Sequence, residues 1–151
     1  METRVTSQSK AHASSQSSNK LYMLAAAGGA AFWITDFVMA VSPLAVAYKA
    51  AFSISSLPVA LVEALVGGLM IGGCVSYFLL RFFEKIPTQN PILKALILSF
   101  VAMLMIEVLS TLVNPSNASV YLLIDTGMNV PRFLVLGIVV GQLYDKLNGG
   151  A

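Results

Sequence analysis

Asp125, Asn129 and Arg132 stand at i, i+4 and i+7 inside an otherwise apolar stretch, residues 119–144 of the 151-residue chain. On a helix this spacing places a carboxylate, a carboxamide and a guanidinium on one face. Charge is costly within a bilayer, so such residues turn toward a bundle interior or a water-filled cavity. Pro131 lies between two of them. It removes a helical donor there, which bends the segment or frees a carbonyl for coordination.

Three further acids, Asp36, Glu63 and Glu107, each interrupt a different apolar block. Glu63, Glu107 and Asp125 each fall six residues from the same end of their block, hence at one expected depth. Asp36 falls nearer the middle of its block, level with Arg132. Matching depths make Asp36 and Arg132 the simplest ion pair, with Asp125 the alternative partner for Arg132. Either pairing leaves three acids against no other internal base, to be protonated, hydrated or neutralised by a bound cation. The plainer alternatives are a structural Asp36–Arg132 pair that fixes helix register, and outer acids that simply reach interfacial water. A substrate, proton or cation site built from Asp36, Glu63, Glu107, Asp125, Asn129 and Arg132 is the sharper one.

The elements that must carry these residues follow from composition. Hydrophobic residues make up 57% of the chain and charged ones 11%, against ~25% charged in soluble domains. The mean hydropathy is +0.80. The expected fold is an all-α membrane protein, four transmembrane helices in an antiparallel bundle. The spans are about 21–48, 57–83, 92–113 and 119–144, within a membrane domain of 21–146. Residues 1–20, rich in Ser and Gln, read as a disordered cytoplasmic tail, and residues 147–151 as a frayed C-terminus. Ser55, Ser56 and Pro58 suit the start of the second helix; 84–91 and 114–117 read as turns.

Arg4, Lys10, Lys20, Arg81, Lys85, Lys94 and Lys146 lie on one side of this arrangement and Lys49 alone on the other. Both termini are therefore expected in the cytoplasm and the chain in a plasma (inner) membrane. Tyr22, Tyr48, Tyr121 and Tyr144 sit at span ends, as an aromatic belt does. Gly68/Gly72, Gly137/Gly141 and Ala25/Gly29 are small residues four apart that let helices approach closely. Gly137 and Gly141 point away from the Asp125–Arg132 face, toward a lateral contact with another copy of the chain.

A net charge of +2, explained by the span ends, excludes nucleic acid as a partner. His12 is the only histidine and lies in the tail, so no His-based metal or haem site is expected, and no cofactor. Cys74, the single cysteine, reads as a packing residue, and the seven methionines as gap fillers. The expected partners are the lipid bilayer, a homo-oligomer or another membrane protein, and a small-molecule or cation substrate. Three functions fit. The first is a transporter or ion- or proton-conducting protein. The second is a structural, assembly or accessory subunit without a substrate. The third, a lipid-acting enzyme with Arg132 on a phosphate, ranks last because no catalytic spacing is present.

Overall fold

The computed structural model describes residues 2–42, 57–113 and 118–149. They form four helices: α1 Glu2–Ala40, α2 Leu57–Phe82, α3 Pro91–Val113 and α4 Ala118–Asn148, with a short 3-10 turn, Phe83–Lys85, after α2. No strand occurs among the described residues. Four segments are long and apolar enough to cross a membrane: Gln16–Ala40, Pro58–Lys85, Pro91–Leu112 and Asp125–Asn148. Their outward surfaces carry Val62, Met70, Leu104, Met105, Leu109 and Leu123, a surface suited to lipid and not to water. The chain is an integral, multi-pass helical membrane protein.

The helices pack as two antiparallel hairpins, α1–α2 and α3–α4, joined along an α1–α4 seam. Leu24, Phe32, Val75, Leu79, Ala95, Met103, Phe133, Leu136 and Val140 form the common core. Small residues set the helix separations. A Cβ placed on Gly72 would come within 2.9 Å of Ala25 O and Gly29 N, and one on Gly68 within 3.1 Å of Gly29 O. Across the other hairpin, a Cβ on Gly141 would meet Ile92 Cα at 2.4 Å, and one on Gly137 would meet Leu96 Cα at 2.9 Å. Gly137 and Gly141 thus serve a contact within the chain, which corrects their assignment to a neighbouring copy. Two sides of α4 are buried, one on α1 and one on α3, so opposite faces of it both point inward.

Helix α1 ends at Ala40, and the rest of the expected first span, 43–48, lies outside the described residues. Pro43 lies just beyond; it lacks the backbone donor a helix needs and disfavours helical geometry at Ser42. The largely apolar stretch 21–40 before it already matches ~30 Å of hydrocarbon. Residues 2–20, expected as a disordered tail, instead continue α1 as helix. Propagation adds one hydrogen bond per residue fixed, whereas nucleation is the costly step, so a formed span extends readily into a polar segment lacking Gly and Pro. Tyr48, Lys49, the Ser55–Ser56 start signal and the 114–117 turn lie outside the described residues.

At the end of the bundle that carries the 86–90 loop, Asn90 caps α3. Its Oδ1 accepts from the amide of Ile92 at 2.9 Å, and Pro91 takes the first helical position, where no donor is needed. Lys20 Nζ donates to Asn148 Oδ1 at 2.6 Å, tying α1 to the last turn of α4 at the same end.

Candidate functional site

The site forms where α1, α3 and α4 meet in the half of the bundle away from the 86–90 loop. Asp36 lies one turn before the end of α1 and is buried. Arg132 comes from the middle of α4, and its Nη2 forms an ion pair with Asp36 Oδ1. The ring of Phe32, one turn before Asp36, has its centroid 6.0 Å from the guanidinium carbon and packs edge-on against Phe133. A cationic guanidinium near an aromatic face gains further from the ring quadrupole.

The second terminal nitrogen of Arg132, Nη1, donates to Asn129 Oδ1 at 2.9 Å. Asn129 is 7% exposed, and its Nδ2 donates in turn to Glu107 Oε1 on α3, again at 2.9 Å. Glu107 is 3% exposed. An unbroken polar chain therefore runs Asp36, Arg132, Asn129, Glu107, crossing from α1 through α4 to α3. Asp125 lies one turn before Asn129 on α4. Arg132 Nε is buried without a hydrogen-bond partner.

Four of the six expected site residues are thus joined by direct contacts, and Asp125 lies one turn from them on α4. Glu63 is the exception, since its side chain is exposed on the outward face of α2. Gly67, one turn along, has open space above it. The hydroxyls near Glu107 also stay apart from the site: Thr111 Oγ1 bonds to Val108 O of its own helix, and Ser110 is exposed.

Three supporting features were not legible in the sequence. Trp33 Nε1 donates to Leu61 O at 3.0 Å, pinning α2 to α1 beside Asp36. Gly28 sits where α1 meets both α2 and α4; a Cβ there would lie 2.7 Å from Val140 Cγ2 and 3.6 Å from Gly72 Cα. Lys94, counted above as a topology signal at the membrane surface, is instead 3% exposed. A depth estimate places a residue along a helix but not around it, and all three features depend on the angle around the helix.

Among the described residues no group of three or more His, Cys, Asp or Glu side chains is placed to hold a metal ion. What the arrangement can do is electrostatic. It holds a guanidinium matched to one carboxylate, and beyond a neutral amide a second buried carboxylate with a third acid near it. Searches of protein-family models, curated proteins and solved structures gave no match to this chain.

Proposed function

We propose that this protein is a small transporter or ion-conducting membrane protein in which Glu107 exchanges a proton or a cation. The observation that carries this reading is how the guanidinium of Arg132 is used. Arg132 pairs with Asp36, so the hydrogen-bond partner of buried Glu107 is the uncharged amide of Asn129. A buried carboxylate whose hydrogen-bond partner is a neutral amide inside a membrane is the kind of group that marks proton relays and ion pathways. A plasma-membrane location with both termini cytoplasmic belongs to this proposal. It rests on the excess of basic residues toward the 86–90 loop end, with Lys94 set aside because it is buried.

The test is proton release or uptake by the purified protein in weak buffer as inorganic and organic cations are added. A response is expected that Glu107→Gln abolishes and Glu63→Gln retains. Absence of any response, or one indifferent to Glu107→Gln, overturns the proposal. One observation favours a second reading, an accessory subunit or homo-oligomer: Glu63 faces outward from the span, where a neighbouring helix would shield it from lipid. A protein silent in the proton assay yet associated with a partner through the Glu63 face would support that reading.

A further inference from the structure

We infer that Asn129 is a positioning residue that commits Arg132 to Asp36 and keeps it off Glu107. The inference rests on Glu107 being the exchanging group. A guanidinium only donates hydrogen bonds, and an ionised carboxylate only accepts them. Arg132 set between two buried acids on neighbouring helices would therefore bridge both. Glu107 would become the second anchor of a closed acid–base–acid triad and would be no freer to exchange than Asp36.

The carboxamide of Asn129 prevents this because, unlike a guanidinium or an ionised carboxylate, it offers both an acceptor and a donor. Its Oδ1 takes Arg132 Nη1 at 2.9 Å, and its Nδ2 is left for Glu107 Oε1, also at 2.9 Å. Arg132 lies three residues after Asn129, so helix geometry itself keeps the amide beside the guanidinium. From the other direction Phe32 and Asp36 hold the guanidinium on the α1 side. The charged groups facing the amide are Asp36 from α1, Glu107 from α3, and Asp125 and Arg132 from α4. α2 contributes none, because Glu63 points outward. The amide thus divides the cluster into a neutral ion pair on one side and Glu107 on the other. The charge on Glu107 can change while the pair that joins α1 to α4 stays closed.

Two thermodynamic cycles test this, each read as a shift in unfolding midpoint. In the native background, Asp36→Asn and Glu107→Gln should act additively, since Arg132 does not answer to both acids. Strong non-additivity there overturns the inference without any change at Asn129. In an Asn129→Ala background, or Asn129→Leu if that folds better, Arg132 can reach Glu107. The shift caused by Asp36→Asn should then fall by about half, and coupling between Asp36 and Glu107 should appear. An undiminished Asp36→Asn shift overturns the inference. Proton exchange should also disappear in Asn129→Ala and return in Asn129→Gln, which restores an amide. If the native protein exchanges no proton while both cycles behave as expected, the reading of Glu107 falls and the role of Asn129 in pairing stands.

Discussion

Buried Lys94 and half-buried Arg132 are stabilised in different ways. Arg132, in the middle of α4, has a carboxylate and an amide around it and an aromatic ring beyond. Lys94, in the first turn of α3, has no carboxylate in ion-pair range among the described residues. Its Nζ donates to the carbonyl of Phe83 and stands 3.5 Å from the centroid of the Phe83 ring, which stacks on Tyr144 at 4.7 Å. Depth explains the contrast. Near a span end a lysine stem can lie along apolar surface with water close by, so a carbonyl dipole and a π face suffice. Near mid-membrane the same charge requires a formal counter-charge. Arg132 is therefore bound into an electrostatic circuit that reaches three helices, whereas Lys94 serves the local closure of the turn between α2 and α3.

The contrast can be broken by substitution. Arg132→Leu strands Asp36 and should cost ~3–5 kcal/mol of unfolding free energy in bicelles, while Asp36→Leu/Arg132→Leu should recover most of it. Lys94→Met keeps the apolar stem over Phe83 and loses one hydrogen bond and one cation–π contact, so about 1–2 kcal/mol is expected. If Lys94→Met costs as much as Arg132→Leu, the two cations are not differently supported and the depth argument fails. Glu63→Gln should fall within ~0.5 kcal/mol of the native protein by the same measurement, because its side chain is exposed. A larger loss would show that the outward face of α2 is covered.

Depth along each helix was legible in the sequence, and orientation around it was not. The Asp36–Arg132 pair followed from matched levels, and Asn129 joined the site because it shares a face with Arg132 at i+3. The same counting put Glu63 beside Glu107, although α2 turns Glu63 outward so that Gly68 and Gly72 can meet α1. Gly137 and Gly141 were misread for a related cause. One polar face on α4 implied one buried face, but α4 is wedged between two neighbours and buries two. The end of α1 was available from Pro43; hydrophobicity alone carried the expected span past it. Lys94 was beyond sequence reading, since its burial depends on Phe83 and Tyr144 closing over it from two other elements.

The division into two hairpins bears on how the chain comes together in a membrane. Each hairpin has its own glycine-lined contact, so each can form as soon as its second helix is inserted. The α1–α2 half then carries Asp36 without its cation, and the α3–α4 half carries Arg132 without its anion. Asp36 and Arg132 each lie along the seam where the other half belongs. The ion pair thereby acts as a recognition code between two prefabricated pieces, rejecting an apolar helix that would leave a bare charge in lipid. The exposed 86–90 loop is a covalent convenience at the far end of that seam. The correct mating of the halves is written in Asp36 and Arg132, so a chain severed at the loop would still hold the instructions for its own reassembly.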